Sequence, residues 1–208
     1  MDVKNPNVNN SVEPGKIQIR LTNKFGETII LENPKAIKPC EHWTVSKTAI
    51  RRILQIARQI SKKRGQILTN SIHLENDMDY FICFCLFGHI TEEYKLFESV
   101  ILRTNFVSLM NKWNILRGML HAHLKFKDKS YSSLTDTIRK LIRTRDIFAH
   151  GIIVFKGKKP FIRYYNTDKK EQADIELTSS YFSDVNTYFL QASEEFQKII
   201  STFARPKQ

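Results

Sequence analysis

The sequence predicts a mainly α-helical protein: a helical bundle with an N-terminal β-hairpin and a second β-hairpin after the fourth helix. Three observations carry that prediction. Gly (7) and Pro (6) are scarce among 208 residues, which favours helices. Apolar residues recur at three- and four-residue steps in several segments, the period of a helix with one buried face. Two short stretches instead alternate apolar and polar residues around a turn signal, as hairpins do.

Residues 1–15 are polar and rich in Asn, a lead-in without a core of its own. From Lys16 to Leu31, Ile17, Ile19 and Leu21 alternate with polar residues. Phe25-Gly26 supplies a turn, and Ile29 to Leu31 returns the chain. Pro34 and Pro39 mark a linker over Asn33 to Glu41. A first helix is expected from Thr44 to Arg64, on the stripe Ile50, Ile53, Leu54, Ala57, Ile60, with Gly65 as its stop. A second fits Leu74 to Gly88. A third runs from Thr91 to about Leu124, opening on acids that suit a helix N-terminus. Its later face holds Phe106, Met110, Trp113, Leu116, Leu120 and Leu124, and Gly118 marks a kink. The fourth starts at Ser132 or Ser133, buries Leu134, Ile138 and Leu141, and ends at Ala149 before Gly151. Ile152 to Phe155, a GKKP turn and Phe161 to Tyr165 form the second hairpin. A charged loop then leads to a last helix, about Ser180 to Phe203, with Phe182, Val185, Phe189 and Phe196 inward. The expected division is residues 1–40 for tail, hairpin and linker, and 41–208 for the helical domain, with a basic helix at 44–64 and a core bundle at 74–203.

The charge balance narrows the function. Lys and Arg number 33 against 21 Asp and Glu, a net +12 with a pI near 9.6. Such a surface favours polyanions, nucleic acid first among them. Cys40, Cys83 and Cys85 make no disulfide framework. The N-terminal stretch lacks the apolar core of a signal peptide. The longest apolar run, Tyr80 to Phe87, is far below the roughly 20 residues that span a bilayer. A soluble, cytoplasmic protein with no membrane partner is therefore expected.

The densest group of chemistry-bearing residues is IRTRDIFAHG, Ile142 to Gly151. Arg145 continues the inner face of the fourth helix through Leu134, Ile138 and Leu141. A charge there is costly unless it is paired or opens into a cleft. Asp146 and His150 are four apart and share a face. A carboxylate beside an imidazole fixes its tautomer, and a helix C-terminus favours a cation. Arg145 and His150 are five apart, about 140° around the helix axis at ~100° per residue. They converge on one ligand through a frayed last turn, a long reach by Arg145, or a second copy across a two-fold axis. The same three residues also fit a plain ion pair at a helix end.

These residues resemble the HEPN superfamily, whose hallmark is Arg, a polar residue, a short spacer and His. Here that reads Arg145-Asp146-Ile147-Phe148-Ala149-His150. The resemblance covers roughly Leu74 to Phe203; the N-terminal hairpin and basic helix lie outside it. It implies a HEPN-like helical bundle and a metal-independent endoribonuclease, active as a homodimer with a composite cleft and needing no cofactor. It further implies a toxin or antiphage role, with an antitoxin or regulatory partner as a companion. On that reading Arg145 and His150 are catalytic, Asp146 orients His150, and RNA is cut to 2′,3′-cyclic phosphate and 5′-hydroxyl ends. The alternative is a non-catalytic HEPN-like module that binds RNA or docks a partner.

Four other groups carry candidate chemistry. Arg51, Arg52, Arg58, Lys62, Lys63 and Arg64 form a basic run with no acid between Glu41 and Glu75, and Arg143 lies near the motif. All seven are candidate RNA contacts; a solvated helix face or a membrane-surface contact fits the run as well. Cys83, Cys85, His89, His121 and His123 invite a zinc site, but the pairs at spacing two point to different sides of a helix, so no metal is expected. One of Glu75, Asp77 and Asp79 is a candidate support for Arg145; a charged first turn of a helix is the plainer reading. Tyr164 and Tyr165 beside Arg163 are candidates to stack bases.

Overall fold

The computed structural model describes residues 18–22, 28–32, 46–103, 107–124 and 132–203. It is mainly helical. In chain order it holds β1 (Gln18–Thr22), β2 (Thr28–Glu32), α1 (Lys47–Phe87), α2 (Glu92–Phe97) and a π-helical turn (Glu98–Leu102). Next come α3 (Leu109–Leu124), α4 (Ser132–His150), β3 (Ile152–Lys156), β4 (Lys159–Asn166), β5 (Glu171–Glu176) and α5 (Ser179–Phe203). The chain forms two compact units. One comprises residues 1–65 and 146–182, the other 66–145 and 183–208.

In the first unit the two expected hairpins are not separate. β2 pairs in parallel with β3, with Ile30 opposite Val154, so a single five-stranded sheet runs in the order β1-β2-β3-β4-β5. The apolar run Ile29 to Leu31 is buried throughout, as are Ile153 to Phe155. Side chains alternate between the faces of a strand, so continuous burial of this kind means that both faces are covered here. The expected charged loop after Tyr165 contains β5, whose Asp174 stands opposite Arg163 on β4. The Asn166 side chain makes the turn between them, accepting the backbone N–H of Asp168 at 3.1 Å. The tight β3–β4 turn needs a left-handed residue, and Gly157 provides it with φ of 63°. The Phe25-Gly26 turn and the linker from Asn33 lie outside the described residues.

Arg163 ties this sheet together. Its guanidinium donates to Glu32 at 2.6 Å and to Asp174 at 2.8 Å, joining β2, β4 and β5, while Lys156 pairs with Asp174 at 2.8 Å. The Arg163 hydrogen bonds hold both carboxyls below their ordinary values of 4.5 for Glu32 and 3.8 for Asp174. A carboxylate lowered by folding stabilises above its unfolded value and loses that stability as pH falls through the folded one. The parent is therefore expected to lose melting temperature steeply on acidification below about pH 4.5. Arg163→Met should flatten that limb. Thermal melts from pH 7 to pH 3 check it.

The helices depart from expectation in two places. Gly65 does not stop the first helix: α1 runs for 41 residues to Phe87. The stripe Ile53, Ala57, Ile60 continues through Ile67, Ser71, Leu74 and Met78, all buried. That burial outweighs the roughly 1 kcal/mol a mid-helix glycine costs. The expected third helix is broken. Thr91 caps α2 by accepting the Tyr94 N–H at 3.1 Å, but the chain then widens to a π turn, with Arg103 N–H donating to Glu98 O at 2.9 Å. α3 begins afresh because Ser108 caps it, its Oγ accepting Asn111 N–H at 3.2 Å. Gly118 lies inside α3, and Phe106 lies outside the described residues. In the second unit Trp113 meets Phe196 edge to face at 5.9 Å, amid buried Met78, Phe81, Leu116, Leu120, Ile138 and Leu141.

Candidate active site

α4 is built as its pattern dictates. Leu134, Ile138 and Leu141 are buried, and Ile147 and Phe148 carry the buried face to the end of the helix. Arg145 is half-buried, as a charge at the margin of an apolar stripe must be, whereas Asp146 and His150 are exposed one turn apart on the same side. Arg143 is exposed. The imidazole thus stands in solvent on the last residue of α4.

The residue after His150 is fixed by contact. Gly151 is buried and its N–H donates to Ile147 O at 2.7 Å. A Cβ at this position would collide with the Ile147 carbonyl and with Cγ1 of Ile162 on β4. Gly151→Ala is accordingly expected to cost about 1–3 kcal/mol, the range for overpacking a filled site; denaturant unfolding measures it. Phe148, two residues before His150, packs beside the rings of Phe182 at 6.0 Å and Tyr181 at 6.2 Å.

The basic run divides into three roles. Arg51, Arg58 and Lys62 are exposed and fall within about 40° of one another around α1. Arg52 is exposed on a flank. Lys63 lies with its ammonium 4.3 Å over the Phe182 ring. Arg64 points the opposite way from the exposed stripe. Its guanidinium donates to Ala149 O at 2.8 Å and to Gly151 O at 3.5 Å, capping the C-terminus of α4. Arg64 is thus engaged by backbone carbonyls at the end of α4. Its place was legible: Ile53, Ala57, Ile60, Arg64, Ile67 steps by four, three, four and three, so an arginine sits on the buried stripe. Arg52 also lines an open cleft of about 450 Å³ in the same unit, with Ile53, Ile56, Leu31, Phe155 and Lys158.

The acids ahead of the aromatic stretch lie inside α1 rather than in the first turn of a helix, and two of them, Glu75 and Asp79, pair with a lysine. Lys112 on α3 is 1% exposed and donates to Asp79 Oδ2 at 2.9 Å and to Glu75 Oε1 at 2.8 Å. Burial pushes the Asp79 carboxyl up, against the pull of Lys112. Sequence reading missed this cluster, though its signal was present: Lys112 falls in step with Leu109, Leu116 and Leu120, and Glu75 and Asp79 share a helix face. Asp77 is half-buried and its carboxyl is raised by burial. Burial raises the thiols of Cys83 and Cys85 to about 11. Among the described residues, no three His, Cys, Asp or Glu side chains come together as metal ligands. Of the hairpin aromatics, Tyr165 is 61% exposed and Tyr164 half-buried. Among the described residues, no helix is long and apolar enough to cross a membrane. No family model, no curated protein and no solved structure matches the chain.

Proposed function

We propose that this chain is a HEPN-like, metal-independent endoribonuclease that acts as a homodimer, in the role of a toxin or antiphage effector. The observation that carries the reading is the setting of His150: an exposed imidazole on the last residue of a helix whose flanking backbone is held on both sides. RNA supplies its own nucleophile, the 2′-hydroxyl. An imidazole takes that proton or protonates the leaving 5′-oxygen. A guanidinium, charged at every working pH, offsets the negative charge that builds on the phosphorane oxygens. Arg145 has that role and Asp146 orients His150. Proton and charge are then accounted for, and the products are a 2′,3′-cyclic phosphate and a 5′-hydroxyl.

The spacing of Arg145 and His150 supports the dimer. Some 140° separates them around α4, so one helix offers them to different sides. Two helices related by a two-fold axis supply an arginine from one copy and a histidine from the other. Expression in cells tests the reading. The parent should be toxic, and His150→Ala or Arg145→Ala should relieve the toxicity; persistence of toxicity in both variants would contradict it.

A second reading rests on Arg51, Arg58 and Lys62. This exposed stripe suits a nucleic-acid backbone, so a non-catalytic RNA-binding or partner-docking module fits it. Binding without cleavage, weakened alike for all RNA sequences by charge removal on the stripe, would favour that module.

A further inference from the structure

Helix α4 ends two residues after the buried Phe148, and its last carbonyls have no partner within the helix. Water, a glycine-based turn or a cationic side chain usually satisfies such groups. Here a side chain 85 residues away in sequence does so. Arg64 sends one terminal nitrogen to Ala149 O at 2.8 Å and the other toward Gly151 O at 3.5 Å. These two carbonyls lie on either side of His150.

We propose that Arg64 is a positioning residue, a two-pronged clamp that fixes the backbone around His150 and so sets where the imidazole is presented. Its catalytic consequence rests on the endoribonuclease reading above; the clamp itself does not. Three features make the clamp specific to arginine at this place. A planar guanidinium offers two N–H groups in a fixed fork, able to reach carbonyls two residues apart, where an ammonium is a single point. Arg64 is half-buried on the apolar stripe of α1, so its stem is held and its contacts are only partly open to water. Its neighbour Lys63 lies over Phe182 of α5, whose ring is 6.0 Å from that of Phe148 near the end of α4, so the two consecutive cations of α1 are both held by fixed partners. On its other side the segment is stopped by Gly151, where Ile147 O and Ile162 leave no room for a Cβ. His150 therefore stands between two fixed points while its own ring is exposed.

The basic surface is redrawn accordingly. Arg64 belongs to the scaffold of the site, and the exposed stripe Arg51, Arg58 and Lys62 is left as the phosphate-facing part of the run.

The test compares Arg64→Met, which keeps the stem, with Arg64→Lys, which keeps the charge and one contact. Two measurements are made on full-length protein: amide hydrogen exchange at Gly151, and steady-state cleavage of a fluorescently labelled single-stranded RNA of mixed sequence. The clamp predicts that Gly151 exchanges at least ~10-fold faster in Arg64→Met, with Arg64→Lys between it and the parent. Positioning predicts kcat lowered about 10- to 100-fold with KM within about twofold, partly rescued in Arg64→Lys. Unchanged exchange in both variants overturns the clamp, whatever the RNA shows. Faster exchange with unchanged kcat in a parent that cleaves RNA overturns the positioning role. If the parent cleaves no RNA, the nuclease reading fails by itself, and the exchange data still uphold or overturn the clamp. Arg64→Lys keeps the comparison decisive should Arg64→Met not fold.

Discussion

Replacing His150 with alanine is expected to lower RNA cleavage about 10²- to 10⁴-fold, the usual worth of a positioned general acid or base. Arg145→Ala should cost about 10²- to 10³-fold, the scale seen when a donor to developing negative charge is removed. The two losses should add to less than their sum in log units if both residues act in one transition state. His150 is exposed, so its removal should change stability by no more than about 0.5 kcal/mol. Asp146→Asn should have a smaller effect, since Asp146 acts only through the imidazole on this reading. Cleavage rates measured beside thermal melts separate loss of chemistry from loss of fold. A His150→Ala protein that cleaves at the parental rate would remove the imidazole from the mechanism.

The largest effect on stability is expected at Lys112. Its ammonium is 1% exposed and bonded to Asp79 and Glu75. Asp79 is also 1% exposed, and its second oxygen, Oδ1, has no hydrogen-bond partner. The cluster therefore sets one buried carboxylate, Asp79, and one half-buried carboxylate, Glu75, against one buried cation. Lys112→Met strips the cation and leaves the carboxylates facing each other, which should destabilise by about 3–5 kcal/mol. The pH dependence of the variant should be informative. Burial raises the Asp79 carboxyl above its ordinary 3.8, so the folded state binds its proton more tightly than the unfolded chain. Stability from this group is present at low pH and declines as pH rises through the folded value, the reverse of Glu32 and Asp174. Without Lys112 the decline should steepen and extend upward in pH. The double change Lys112→Met with Asp79→Leu should recover much of the loss, because no buried charge is then left without its partner. Urea unfolding at several pH values measures all three proteins. A loss under about 1 kcal/mol in Lys112→Met would show that the cluster is not a buried ion system.

Much of the helical frame was legible in the sequence because its signals are local. α4 begins at Ser132 within a residue of expectation and α5 at Ser179, where Thr178 accepts the Tyr181 N–H at 3.0 Å. Both carry one apolar stripe, and Thr178 caps α5. The errors arose where a local signal met a non-local one. Gly65 reads as a stop by propensity, yet it is an exposed residue and the buried stripe passes on the other face of the helix. Residues 167–176 read as a charged loop because their acids and lysines hide Ala173 and Ile175; the pairing of Asp174 with Arg163 becomes visible only once β4 lies alongside. The parallel pairing of β2 with β3 joins residues more than 120 positions apart, and no short-range pattern encodes it. For the candidate site, the residue types at the end of α4 were readable. The clamp by Arg64 was half readable: a cation on a buried stripe announces a partner without naming it. The same holds for Lys112, whose stripe predicts burial and whose partners emerge only from the packing of α3 beside α1.

The central claim is the chemistry at His150 and Arg145. Its most direct test is the identity of the ends produced from a labelled RNA by purified protein in the presence of EDTA. Cleavage is expected to persist under chelation, with 2′,3′-cyclic phosphate on one fragment and 5′-hydroxyl on the other, and both products should be lost in His150→Ala. A 5′-phosphate product, or cleavage that chelation abolishes, would contradict it.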